Sequence, residues 1–380
     1  MADNTISSNL QENIVVGATE ALSESMALLA GVQMNAIPDP GNKGQSFNVG
    51  EYEDKTASDV TASNVSPDAA ASDFGAKTIT LDTHKRANFK LKGTEFQGNN
   101  LDATFMSQVQ EIVRACVYTM NASLMGQYSK IYQYAGDASR SIFNDGTSAS
   151  VDPLADVGKV LDDARVSTIN RQMFVSTTEN SNAKKVPELQ QANTFGRDNV
   201  IYDGYVGRTM GFDLFMDQQI PTHTTGTVTT GPTGAAAAGA TTVVLTGGTY
   251  SLKVGDLITF DNDTTITYSV QADTAATSVV IDRGLETAVS GDTLALAVGH
   301  GSGVVNIAGD MSGFGLVNRI EATDYYGTGT MENRMIITHP SGVSLSLGTY
   351  KQYKQSLFEC SCLFGTQLVD PRKVVRALGA

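Results

Sequence analysis

Residues 204–224 read GYVGRTMGFDLFMDQQIPTHT, and the fold turns on what happens just after them. Glycines at 204, 207 and 211 permit tight turns, the half-alternating run Phe212–Met216 is strand-like, and Pro221 breaks it. From Gly226 the composition changes to TVTTGPTGAAAAGATT, which carries no charge. Charged helical patterns do not resume at once, so Gly226 marks the place where a separate module leaves its host.

The segment beyond it contains a weak internal repeat. ATTVVLTGGTYSLKVGDLITF (240–260) aligns without gaps on ATSVVIDRGLETAVSGDTLAL (276–296), at an offset of 36 residues. Ala-Thr, Val-Val, Gly248 with Gly284, and the Gly-Asp pairs 255-256 and 291-292 all coincide. Strand, turn, Gly-Asp turn and strand, given twice, predict a small barrel or sandwich of about six strands. The β pattern runs to about residue 310. The host is expected to resume near Arg334 with MIITHP, then SLFECSCLFGTQLV and the basic PRKVVRAL.

Upstream, Leu10, Ile14, Ala18, Leu22, Met26 and Leu29 recur at helical spacing, predicting an amphipathic helix over 10–34 that Gly31 and Pro38-Asp39-Pro40 end. Strand-like FNVGEYE (47–53) and KTITLDTHKRANFKLKG (77–93) flank a polar stretch, as the arms of a long hairpin. Residues 1–82 carry twelve acids against three bases; Lys85, Arg86, Lys90 and Lys92 then arrive with no acid between them. Such a basic arm either pairs with its acidic neighbour arm or faces another copy of the chain. Apolar residues from Leu101 to Tyr132, after Asn99-Asn100 as a cap, predict a spine helix about 50 Å long. Asp152-Pro153 starts another helix, Met173-Phe174-Val175 is a short buried strand, and a helix with Lys184-Lys185 and Pro187 near its start runs to about Asn193.

The totals limit the function. At 380 residues the chain has room for two or three domains, and 37 glycines with no Trp favour turns and β structure. A net charge of −14 repels phosphate backbones and gives no support for nucleic-acid binding through a basic face. No base precedes Lys43, so no secretory signal is expected, and no apolar run approaches the roughly 20 residues of a membrane span. Cys116, Cys360 and Cys362 cannot all pair, and Cys360 and Cys362 would share one face of a strand, which suits a reducing cytoplasm.

Catalytic and metal signatures are missing from the sequence. His84, His223, His300 and His339 stand far apart with no ligand spacing, so each reads as a surface or hydrogen-bonded residue. GHGSG (299–303) and GTGTM (327–331) read as turns rather than dinucleotide loops, and DNDTT at Asp261 lacks the glycine and glutamate of a calcium loop. No catalytic, cofactor or metal residue is assigned, and the chain is expected not to be an enzyme.

The order of parts, more than any motif, resembles the Hong Kong 97 fold of tailed-bacteriophage major capsid proteins. GYVGRTMGFDLFMDQQIPTHT followed by a β module with Gly-Asp turns is similar to the short-tailed-phage coat subfamily, in which a domain is inserted in the axial domain. MIITHPSGVSLS and CLFGTQLVDPRKVVRA look like that family's closing strands. The resemblance implies an α+β fold: N-terminal arm 1–40, extended loop 41–97, peripheral domain with spine helix 98–150, axial domain 151–222, inserted β barrel 223–333, and a return to both host domains over 334–380. It also implies a shell of hexamers and pentamers built from this chain. A scaffolding protein and a portal would assist assembly in the host cytoplasm, DNA would be enclosed non-specifically, and no membrane or cofactor would be involved. Leu10, Ile14, Leu22 and Met26 on the arm, with Lys85, Arg86, Lys90 and Lys92 on the loop, are the expected inter-subunit contacts. The Lys, Asn and Glu set of self-crosslinking members is not placed here, so no crosslink is implied. An encapsulin-type compartment shares the fold, and a β-rich adhesin or tail protein would explain the Thr/Gly segment without needing the spine helix.

Overall fold

The computed structural model describes residues 28, 32–50, 76–92, 101–190, 207–273, 277–322, 331–338 and 342–380. Strands β1 (Gln33–Gly41), β2 (Ser46–Gly50), β3 (Ala76–Thr80) and β4 (Thr83–Lys92) lead to helix α1 (Leu101–Gly126). Next come β5 (Tyr134–Gly136), α2 (Asp152–Asp163), β6 (Gln172–Val175), α3 (Thr177–Ala183) and α4 (Pro187–Gln190). Short strands β7 (Arg208–Thr209), β8 (Phe212–Met216) and β9 (Thr222–His223) precede the module. Within it lie β10 (Thr227–Thr230), β11 (Thr233–Ala236), β12 (Thr242–Thr246), β13 (Thr249–Ser251), β14 (Leu257–Phe260), β15 (Asp263–Ser269), β16 (Ser278–Val280) and β17 (Val289–Leu296). The chain closes with β18 (Gly303–Gly309), β19 (Phe314–Glu321), β20 (Met331–Thr338), β21 (Ser344–Gln352), β22 (Gln355–Leu368) and β23 (Val374–Gly379), giving a mixed α+β fold.

The spine helix is present but shorter than its apolar periodicity suggests. It spans 26 residues, about 39 Å at 1.5 Å per residue, and stops at Gly126, after which a 3-10 turn over Gln127–Lys130 leads to an extended Ile131. Phe105, Val109, Ile112, Val113, Cys116, Val117, Met120 and Leu124 are buried, three or four apart, so one face of the helix enters the largest core. The facing surface is a six-stranded sheet ordered β1-β19-β22-β21-β20, with β4 also paired to β22. Leu345, Leu347, Phe358, Cys360, Cys362 and Phe364 supply its side of the core. Cys360 and Cys362 thus share the helix-facing side of β22, and all three thiols are free and buried.

Several local expectations change once pairing partners are known. The N-terminal helix was expected to reach Met34, yet Gln33 begins β1, which runs parallel to β19 from Gln33↔Gly315 to Gly41↔Glu321. Pro38 and Pro40 do not end this strand, because it lies at the sheet edge and a register shift between Ala36 and Pro40 absorbs them. Leu28 and Val32, just before β1, are buried in the helix-facing core. The two hairpin arms do pair as β2 with β3, Phe47 opposite Ile79. Beyond Leu81, however, the returning arm leaves them and pairs ten residues of β4 with β22, from Thr83↔Phe364 to Lys92↔Gln355. The helix expected with Lys184-Lys185 and Pro187 near its start is α4, described over Pro187–Gln190, and an additional helix α3 precedes it and ends at Ala183. Ser176 caps α3 by accepting the Glu179 N–H at 3.1 Å.

A second, seven-stranded sheet is ordered β5-β23-β18-β6-β8-β7, with β9 on β18. Helix α2 buries Leu154, Val157 and Leu161 against it. Strands β18 and β19 belong to the two host sheets, so the host resumes at Gly303 rather than near Arg334. The glycine- and β-rich texture of 303–321, with only Asp310, Arg319 and Glu321 charged, resembles the module's, which hid that boundary in the sequence.

Strand β10 pairs separately with β13, and the module's other six strands form a sheet ordered β15-β14-β17-β11-β12-β16. A bridge between Val270 and Ile281, with Gln271 N–H donating to Val280 O at 2.9 Å and Asp282 N–H to Ser269 O at 3.0 Å, joins its two ends into a ring. The interior holds Val243, Leu245, Ile258, Phe260, Val279 and Leu294, a core separate from the host's. Val243 pairs with Val279 and Thr259 with Ala295, and each pair consists of positions 36 residues apart. The two copies of the repeat are therefore interleaved about a local twofold, since antiparallel pairing of equivalent strands is itself twofold-symmetric.

Candidate functional site

Among the described residues, a concentration of buried titratable groups lies where the module meets the host. Its host side is the 3-10 turn after α1, with Tyr128 and Ser129, together with His223 on β9 and Arg376 on β23. Its module side is the Gly255-Asp256 turn, Ser269 at the end of β15, and His300 in the turn after β17. Gly255 adopts φ +92°, and a Cβ there would lie 3.4 Å from His223, Ser129 and Tyr128. Gly226, where the composition changes, sits against this turn so closely that a Cβ would fall 2.6 Å from Asp256 Oδ2 and 2.1 Å from Ser251 O.

Asp256 is the hub. Its Oδ1 lies 2.9 Å from His223 Nε2 and 3.2 Å from His300 Nε2, while Oδ2 accepts the Lys253 N–H at 2.7 Å and the Gly226 N–H at 3.1 Å. The side chains of His223, Asp256 and His300 are 3%, 0% and 1% exposed, so the cluster is closed to bulk solvent. Burial alone would raise the Asp256 carboxyl, but the bonds from His223, His300, Lys253 and Gly226 outweigh it and hold the group well below the usual carboxylate range. Burial pushes His300 down despite the pull of Asp256. The far nitrogen of His223, Nδ1, lies 3.1 Å from the Tyr128 hydroxyl.

Arg376 is fully buried beside this cluster. It donates to Gly255 O at 2.5 Å, Ser269 Oγ at 2.8 Å and Ser129 O at 3.1 Å, while Ser269 Oγ also donates to Ser129 O. Burial lowers its pKa to about 10, still far enough above neutrality to keep the charge. One guanidinium thus ties the host's last strand and its 3-10 turn to two module segments.

The fold brings together residues that the sequence kept apart. His223 and His300 are 77 positions distant, which argued against a shared site, yet their rings stand 5.1 Å apart between centroids. The two Gly-Asp turns of the repeat also diverge. Gly255-Asp256 is the junction, whereas Gly291 has open space around it and Asp292 accepts only a local Ser290 N–H at 2.8 Å. In the sequence Gly255-Asp256 stands out only as one of two equivalent Gly-Asp turns of the repeat, and its approach to Gly226 is a product of the fold. Arg376, within a basic C-terminal run, gave no sign of burial.

Of the expected contact residues, Leu10, Ile14, Leu22 and Met26 lie outside the described residues. Lys85, Arg86, Lys90 and Lys92 are all exposed on β4, with Arg86 Nη1 3.2 Å from Glu359 Oε2 on β22. The basic arm therefore pairs with β22 and not with the leading arm β2. An open pocket of about 500 Å³ is lined by Asp137, Arg140, Asp145, Asp152 and Asp156. Asp137 and Asp145 there cap local turns, through Ser139 N–H at 2.9 Å and Thr147 N–H at 2.7 Å. Among the described residues no helix is long and apolar enough to cross a membrane.

No family model matches the chain, and no curated protein does. Solved structures do. The chain is similar to Mycobacterium phage Che8 at 12% identity and TM-score 0.46, over 89% of this chain and 86% of that one. It is similar to the capsid of the cyanophage P-SCSP1u at 11% identity and TM-score 0.48, over 92% and 86%. The mature capsid of bacteriophage PhiM1 gives 10% identity and TM-score 0.48, over 92% and 86%. TM-scores below 0.5 at such identities do not assign a fold or a role by themselves.

Proposed function

We propose that this chain is a major capsid protein of the Hong Kong 97 fold, which self-assembles as hexamers and pentamers into the icosahedral shell of a tailed double-stranded DNA phage. The observation that carries the reading is the arrangement of host and module. α1 lies along a sheet that also holds the returning loop arm β4, a second sheet holds the C-terminal strand, and a ring of strands hangs from β9 and β18, which are themselves paired. Paired attachment strands, with Thr225 N–H donating to Ser302 Oγ at 3.0 Å, are what an insertion leaves behind. The reading agrees with the capsid structures named above and does not rest on them.

On this reading residues 226–300 are the inserted domain and β6–β9, β18 and β23 the core of the axial domain. α1 with the first sheet forms the peripheral domain, and the N-terminal arm and the loop around β2 and β3 reach neighbours. Extended segments suit a shell, because one sequence must make unlike contacts at different positions. A net charge of −14 suits enclosure of DNA without adhesion to it. A scaffolding protein, a portal and the virion as final location follow from the same class. The test is electron microscopy of the protein produced with its scaffold. Closed spherical shells are expected; monomers or fibres alone would refute the proposal, and shells packed with an enzyme would point to a cargo compartment.

A further inference from the structure

We propose that His223, Asp256 and His300 form a binding site for one divalent transition-metal ion of the zinc or cobalt class, placed between module and host. The ligand atoms would be Nε2 of both histidines and Oδ1 of Asp256, which lie within 4.8 Å of one another. The two nitrogen–oxygen separations, 2.9 and 3.2 Å, are close to the edge of about 3.3 Å expected between ligands about 2 Å from a tetrahedral ion. Two imidazoles and a carboxylate are a donor set for a borderline ion rather than for calcium or magnesium.

Around His300 the ion would replace one weak contact. Leu257 N–H lies 3.3 Å from His300 Nε2, and the single lone pair of that nitrogen either accepts this bond or ligates. Nδ1 of His300 is buried without a partner. The surroundings match those of ligands held for a metal: His223 Nδ1 is on the Tyr128 hydroxyl, and two backbone N–H groups hold Asp256 Oδ2. Arg376 directs its donors at Gly255 O, Ser129 O and Ser269 Oγ, leaving the Asp256 charge for the ion. A bound ion would join β9, the Gly255-Asp256 turn and the segment after β17, clamping the module to its host.

The experiment uses the full-length unassembled protein, stripped with a chelator and titrated with Co²⁺ and separately with Zn²⁺. One ion per chain, visible cobalt d–d bands and a metal-dependent rise in Tm are expected. His300→Gln should weaken zinc by at least about 100-fold, and Tyr128→Phe by about 10-fold, the range over which supporting groups act. His84→Ala, at the exposed His84–Glu321 pair, should change nothing. The wild-type titration decides the matter even where a variant fails to fold. Absence of stoichiometric binding in the wild type, or binding that His84→Ala abolishes, overturns the proposal.

Discussion

Replacing Phe358 with alanine should release β4 from the spine helix while leaving the module intact. Phe358 is 5% exposed on β22, directly opposite Phe89 of β4. Its ring stacks on Phe89 at 5.2 Å and meets Phe105 of α1 edge-on at 4.8 Å, so one side chain joins three elements. Deleting a buried phenylalanine costs about 3–5 kcal/mol. Here the upper part of that range applies, because β22 is paired on both edges and cannot move into the cavity. Phe358→Leu keeps most of the volume and loses the two ring contacts, each of roughly 0.5–1.5 kcal/mol, so it should cost about 1–3 kcal/mol. Urea unfolding of the unassembled protein measures both losses, and amide exchange locates them. Exchange should accelerate over residues 84–92, while the separate core around Phe260 keeps its protection. An alanine variant costing under about 1 kcal/mol, or one that loosens the module as much as β4, would refute this account of the core.

Deleting residues 226–300 should leave a host that folds, because its flanking strands β9 and β18 already pair. Arg376 then loses its Gly255 and Ser269 partners, so the deletion with Arg376→Met should melt higher than the deletion alone; the reverse order would show that Arg376 does not depend on the module. Glu179 is fully buried and its carboxyl is raised by burial, against the pull of Ser141. A folded pKa above the unfolded value gives stability that is present below about pH 4.5 and lost as pH rises through the folded pKa. Glu179→Gln should therefore gain on the wild type between pH 4 and pH 7 in thermal melts, and parallel curves would contradict the assignment. Lys90→Glu with Lys92→Glu, on the exposed face of β4, should impair shell assembly and leave the monomer's Tm within about 1 °C, since surface charges contribute little to stability. Normal shells from that variant would remove β4 from the proposed inter-subunit surface.

The sequence by itself determined what local chemistry can determine. α1 follows from apolar spacing between Phe105 and Leu124 and α2 from the proline near its start, whereas the end of α1 at Gly126 was not legible, because the apolar spacing continues to Tyr132. The strands of the module follow from alternation between glycine-rich turns; the 36-residue repeat predicted about six, and the module has eight among the described residues, because β10 and β13 pair apart from the six-stranded sheet. Tertiary structure decided which strands met. β1 and β4 were placed by β19 and β22, hundreds of residues away in the chain, and no local period records such a partner. The same holds for β18 and β19, whose composition matches the module but whose hydrogen bonds belong to the host. The junction is the clearest case. Burying Arg376, Asp256 and two histidines is unfavourable for any of them alone and becomes tolerable only when each supplies or finds hydrogen-bonding partners there. That condition is set by three-dimensional proximity, so a charge that reads as exposed in the sequence can be the most buried group in the fold.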